Sequence, residues 1–147
     1  MTSVVVRHNF EAGHRLPQLG GKCQNLHGHS WWAEVTVSGR PDATGVVVDF
    51  GVLKKALRTW IDAELDHASM LGDADPLVIP LLAAGSRVFR FGRSGPSDGL
   101  DWPTVENVAL LVARVATGIV ADLGQDHLAV SRVRVSETHL NAAEVTL

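Results

Sequence analysis

His27-Gly28-His29-Ser30-Trp31-Trp32-Ala33-Glu34-Val35-Thr36-Val37-Ser38 is the stretch that decides the fold. From Trp32 onward polar and apolar residues partly alternate, the pattern of a strand with one buried face, and a strand is read over Ser30–Ser38. Successive side chains on a strand point to opposite faces, so at most one of Trp31 and Trp32 lines a pocket. If the chain is already extended at His27, both imidazoles of the His-Gly-His pair face one point. Gly28 between them removes a side chain and permits close approach.

Working backward, Val4–Glu11 is rich in β-branched residues and reads as a first strand. Residues 15–26 carry Pro17, Gly20, Gly21 and Asn25 and read as a loop or wide turn. A hairpin of these two strands brings His14 beside the His27–His29 pair. Three neutral imidazoles with one open position describe a catalytic zinc site, whereas a structural site is more often closed by four ligands including several cysteines. The chain has seven histidines and one cysteine, Cys23.

Working forward, Gly39-Arg40-Pro41-Asp42 ends the strand and Val46–Val48 is a short extended piece. Asp49 stands where a cap belongs. Phe50, Leu53, Leu57, Trp60, Ile61 and Leu65 then recur at three- and four-residue spacing, predicting an amphipathic helix of about four turns. Residues 72–103 hold four prolines and five glycines and read as a long loop insertion, with Val88–Phe91 as a short strand inside it. Thr104 follows Pro103 at an N-cap position, and the apolar positions from Val105 to Leu123 predict a second helix. Arg132–Glu137 alternates as a strand, and Ala143–Leu147 reads as a last edge strand. The predicted order is β-β-α-α-β-β: an α+β domain spanning 1–147, with an antiparallel sheet and two helices on one face.

Bulk properties narrow the function. A chain of 147 residues fits one domain and buries a real core. With 46% apolar residues and a net charge of −3 it is globular in composition, and it offers no electrostatic reason to expect nucleic acid. No apolar run approaches the length of a membrane span, and the first residues do not read as a signal peptide. The expected compartment is the cytoplasm, in keeping with a lone cysteine.

Four further residues carry candidate chemistry. Cys23, in a loop with glycines and Lys22 and near a dication, is placed either as a thiolate base or as a fourth ligand that would make the site structural. Asp66 beside His67 is the arrangement that orients an imidazole for proton transfer, and it is also a common helix-end feature. Glu137, at a strand end, is either a solvated carboxylate or an acceptor for an N–H pair of a heterocycle. Glu106 is read as a helix-dipole residue, and His8, His127 and His139 as surface residues.

At these positions the chain resembles the 6-pyruvoyl-tetrahydropterin synthase / 6-carboxytetrahydropterin synthase family. The matching pieces are Phe10-Glu11-Ala12-Gly13-His14-Arg15-Leu16, Cys23-Gln24-Asn25-Leu26-His27-Gly28-His29-Ser30, Val48-Asp49-Phe50, Leu65-Asp66-His67, Pro103-Thr104-Val105-Glu106-Asn107 and Ser136-Glu137-Thr138. The resemblance implies a tunnelling fold whose subunits join sheets into a barrel, usually a homohexamer, with active sites between subunits. It implies zinc on His14, His27 and His29, Cys23 as base, and Asp66 and His67 as a proton relay supplied by a neighbouring subunit. It also implies a small-molecule pterin held by Glu137 and Thr104. The three-residue gap between Cys23 and His27 is similar to the carboxy branch. That branch turns 7,8-dihydroneopterin triphosphate into 6-carboxy-5,6,7,8-tetrahydropterin, losing acetaldehyde and triphosphate, on the way to queuosine and other deazapurines. The rival readings are a pyruvoyl-type elimination, cleavage of a related pterin such as sepiapterin, and a zinc-stabilised pterin-binding module without catalysis.

Overall fold

A computed structural model describes residues 1–147. Two 13-residue strands, β1 (Thr2–His14) and β2 (His27–Gly39), pair antiparallel along their whole length, from Thr2 opposite Gly39 to His14 opposite His27. Both run longer than their sequence patterns suggest, and the extension is what carries all three histidines onto strands. The connection contains two 3-10 turns, Pro17–Leu19 and Gly21–Gln24.

After β2 comes α1 (Phe50–Glu64), capped by the Asp49 carboxylate, which accepts from the amides of Gly51 and Val52. Such a cap contributes about 1 kcal/mol. Three short elements follow: β3 (Ala68–Gly72), α2 (Val78–Ala83) and β4 (Val88–Phe91). The long helix α3 (Val105–Asp122) starts at Thr104, whose hydroxyl accepts from the Asn107 amide. An antiparallel pair, β5 (Ala129–Ser136) and β6 (Ala142–Thr146), ends the chain. Val46–Val48 is irregular, although Val47 and Val48 are buried as core residues.

The sheet order is β4-β3-β1-β2-β5-β6. The α+β class and both long helices follow the sequence reading, but three features depart from it. β3 pairs with β1 in parallel and β4 pairs with β3 in parallel, so the sheet is mixed rather than antiparallel. A third, short helix exists. Finally, the stretch read as a loop over 72–103 holds, besides the expected strand at Val88–Phe91 (β4), the helix α2 and a 3-10 turn at Gly95–Ser97. β3 runs antiparallel to β2, the strand that precedes α1, and therefore lies parallel to β1, whereas β4 follows β3 through α2, and a strand reached through a helical crossover runs parallel.

One face of the sheet buries Val6, Phe10, Trp31, Val35, Val133 and Val135 against Leu53, Leu57 and Ile61 of α1 and Val108, Leu111 and Val112 of α3. Trp31 is fully buried and stacks on Phe10 at 5.9 Å, and its indole N–H donates to the carbonyl of Ala12. Trp32, on the opposite face, is 50% exposed. The core therefore ends in a buried indole that lies against His14 and His29.

Candidate active site

The hairpin register sets the site. His14 lies opposite His27, and Ala12 lies opposite His29, so the three imidazoles occupy one corner of the buried face. Their potential ligand atoms all lie within 4.8 Å of one another, and the ring centroids are 4.6 to 5.1 Å apart. Trp31 meets His14 and His29 edge-on at 5.0 and 5.6 Å.

Two carbonyls fix the tautomers. His14 Nδ1 lies 2.8 Å from the carbonyl oxygen of Pro103, and His27 Nδ1 lies 2.7 Å from that of Asn25. A carbonyl can only accept, so each Nδ1 carries a proton, and in the neutral ring Nε2 is then the atom that keeps its lone pair. Burial, above all, holds the His14 pKa below the usual imidazole value; His27 and His29 add to this, and Pro103 and Glu137 oppose it without reversing it. Burial does the same at His29, helped by His27 and opposed by Glu137. Neutral rings presenting free Nε2 atoms are the form that ligates a metal. The donor set therefore fits one divalent cation, and a cluster of three imidazoles suits zinc among other transition metals.

Glu137 completes the corner. Its Oε2 lies 3.8 Å from His14 Nε2 and 3.9 Å from His29 Nε2. It follows the last residue of β5 and is held by a turn in which its amide donates to the Asn141 carbonyl, while Thr138 Oγ1 accepts from the amides of Leu140 and Asn141.

Cys23 is exposed on the second 3-10 turn and lies outside the three-histidine cluster. Its carbonyl accepts from the Leu16 amide at 2.7 Å, which ties the turn back to the chain just beyond His14. Asp66 and His67 lie between α1 and β3. The Asp66 carboxylate accepts from the Glu11 amide and approaches His67 Nδ1 at 2.8 Å. Burial pushes this carboxyl up, but the Glu11 amide and the His67 imidazole outweigh it and hold Asp66 below the usual carboxylate range. His67 has a left-handed backbone, φ 58°, and its amide donates to the Glu11 carbonyl. Within a single chain His67 and His29 line one cavity of about 460 Å³. Gly13 and Gly28, paired across the hairpin, form its floor. A Cβ on Gly28 would come no nearer than 3.5 Å to the Ala12 carbonyl oxygen, so close backbone approach is not what the glycine provides; it leaves the cavity open.

Thr104 is occupied by its capping bond and is not among the residues lining the larger cavity of about 810 Å³ to which His29, Trp32 and Glu137 belong. His139, read from the sequence as a surface residue, does line that cavity. Two contacts that sequence reasoning missed hold His14 in place. One is the Pro103 carbonyl. The other is the ion pair of Arg15, its chain neighbour, with the buried Asp75 at 2.9 Å. Neither a backbone acceptor 89 positions away nor a partner inside an apparent loop leaves a mark in sequence spacing.

Fold and site together make an α+β sheet whose central hairpin gathers three imidazoles beside a carboxylate. The 6-pyruvoyl tetrahydropterin synthase family profile matches residues 3–147, and the chain belongs to that family. A 6-carboxy-5,6,7,8-tetrahydropterin synthase from Rickettsia bellii is 35% identical over 107 residues, 71% of this chain and 72% of the relative. A 6-pyruvoyl tetrahydrobiopterin synthase from Drosophila melanogaster is 40% identical over 82 residues, 47% of this chain and 49% of the relative. Among solved structures, an uncharacterized protein from Wolinella succinogenes superposes with a TM-score of 0.73 at 26% identity, covering 99% of this chain and 97% of that one. The Caenorhabditis elegans 6-pyruvoyl tetrahydropterin synthase has the same fold, with a TM-score of 0.70 at 22% identity, covering 99% and 94%. No helix is long and apolar enough to cross a membrane.

Proposed function

We propose that the chain is a zinc-dependent lyase of the 6-carboxytetrahydropterin synthase type, converting 7,8-dihydroneopterin triphosphate to 6-carboxy-5,6,7,8-tetrahydropterin with release of acetaldehyde and triphosphate. The observation that carries this reading is the trio of Nε2 atoms of His14, His27 and His29 turned toward one point beside Glu137. The Rickettsia relative, similar over most of both chains, favours the carboxy branch.

His14, His27 and His29 would hold the ion. Zinc bound there supplies Lewis acidity toward the oxygens of the substrate's side chain. The chain's own groups do the rest. The Glu137 carboxylate accepts two N–H bonds from the pterin ring and fixes its orientation. The Cys23 thiolate takes a proton from the side-chain carbon next to the ring. His67, oriented through Nδ1 by Asp66, returns a proton through its other nitrogen. Buried Trp31 and Phe10 keep water out from beneath the imidazoles. Assembly into a hexameric barrel, a cytoplasmic location and a place in queuosine or deazapurine synthesis belong to the same proposal.

The test is incubation of purified protein with dihydroneopterin triphosphate, with and without a zinc chelator, followed by mass spectrometry. A carboxylated product with acetaldehyde, abolished by the chelator and restored by zinc, supports the reading. A product retaining three side-chain carbons would place the chain in the pyruvoyl branch instead.

A further inference from the structure

The face of the sheet away from the helices carries a row of charges in register: Arg7 opposite Glu34, Glu34 opposite Arg134, and Arg134 opposite Glu144. Register alone would pair Arg134 with a glutamate on either side. Both carboxylates are taken by other arginines. Glu34 binds Arg7 at 2.8 Å and Arg132 at 3.2 Å, and Glu144 lies 3.6 Å from Arg132. Two of these three guanidinium groups, Arg7 and Arg132, thus take both carboxylates, and the third, Arg134, has no carboxylate within 4.0 Å. It lines the cavity of about 810 Å³ that also contains His29, Trp32, Glu137 and His139, so this charge opens into the space that one edge of the histidine corner, His29 with Glu137, reaches. Arg134 stands three residues before Glu137, about 10 Å along the extended chain at the end of β5. A phosphorylated side chain extending from a ring held at Glu137 can span that distance.

We infer that Arg134, set in place by the saturated Arg7–Glu34–Arg132 network, is the binding group for a polyphosphate chain on the substrate. A planar guanidinium that is not already engaged matches phosphate oxygens with two parallel N–H donors, and its fixed, always-charged fork suits that role better than an ammonium. The exposed indole of Trp32 on the next strand gives the same cavity an apolar wall. The inference deepens the proposed function and rests on it for the identity of the substrate, but the anion site itself is testable without turnover.

The probe is inorganic tripolyphosphate, titrated calorimetrically into full-length, metal-loaded wild type, Arg134→Gln and Arg134→Lys. Loss of ion by chelation would be the same in all three chains, so a difference between them reports the arginine. Wild type is expected to bind with an affinity that falls as salt rises, Arg134→Gln to bind about tenfold more weakly or worse, and Arg134→Lys to fall between them. Unphosphorylated dihydroneopterin should bind wild type and Arg134→Gln alike. Equal tripolyphosphate affinity in wild type and Arg134→Gln, or no binding to wild type, overturns the inference. Tripolyphosphate binding at Arg134 in a protein that turns over no pterin triphosphate would overturn the proposed function and leave the anion site standing. Arg134 is exposed and unpaired, so its replacement should leave the thermal midpoint unchanged, which unfolding scans would verify.

Discussion

His14 Nδ1 and the carbonyl oxygen of Pro103 lie 2.8 Å apart, so the end of the segment between β3 and α3 sets the tautomer of the most buried imidazole. That segment is packed against β3 at Gly72. A Cβ there would meet the Asp101 carbonyl oxygen at 2.7 Å and the Trp102 ring at 2.7 and 2.8 Å. Gly72→Ala must therefore displace Trp102 and, with it, Pro103. We expect a loss of metal affinity of about 10–100-fold, as for other outer-shell partners of ligating histidines. Competition with a chromophoric chelator measures it, and unchanged affinity would show that Pro103 does not position the ring.

Cys23→Ala separates a base from a ligand. The thiol is outside the histidine cluster, so the variant should retain one metal ion per chain and its thermal midpoint. Turnover should fall by about 10²–10⁴, the range for a lost general base. Loss of the ion would make Cys23 a ligand and end the proposed mechanism.

Glu137→Gln should keep the metal while weakening pterin binding by about 1.5–3 kcal/mol, the worth of hydrogen bonds to a charged acceptor. Equilibrium binding of a pterin to metal-loaded protein reads this directly. Unaltered affinity would remove Glu137 from the pterin pocket.

The buried imidazoles make the metal-free protein sensitive to acid. Burial holds the His14 and His29 pKa values below that of the unfolded chain, so the folded state resists taking up these protons. The unfolded chain then binds more protons, and stability rises with pH across the interval between the two values. The contribution is complete above about pH 6.5, the unfolded value, and is lost as pH falls from there through the folded values. Melting of metal-free protein from pH 8 to 5 tests this, and His29→Asn should flatten the slope. A midpoint independent of pH over that range would contradict it.

Asp66 acts lower on the scale. The Glu11 amide and His67 hold its carboxyl below the usual range against the opposing effect of burial, so its contribution is present above the unfolded carboxylate value and fades as pH falls through the folded one. Asp66→Asn should therefore lose stability at neutral pH relative to wild type, with the gap closing in acid. Parallel pH–stability curves for the two chains would show that Asp66 makes no such contribution.

Much of this molecule was legible in advance because its main strands and helices bury one face only. Trp32 to Ser38 alternates, α1 and α3 repeat every three to four residues, and Asp49 and Thr104 cap where their residue types suggest. The histidine corner was legible because a His-Gly-His pair on a strand has only one geometry. β3 was invisible for the opposite reason. Its five residues, Ala68-Ser69-Met70-Leu71-Gly72, are nearly all buried and lack alternation or β-branched side chains. α2 has six residues with Pro80 in its first turn, too short for a periodic signal. The charge row across β1, β2, β5 and β6 depends on a register that no local pattern specifies.

The molecule's only sulfhydryl stands in the open on the turn that leads into the histidine hairpin. A maleimide dye or spin label added to unmodified protein therefore has a single place to attach. Reporters of distance, polarity and loop motion can be installed on that turn without mutagenesis, at the expense of the thiol the proposed mechanism uses, and a mass shift of one adduct per chain verifies where they went.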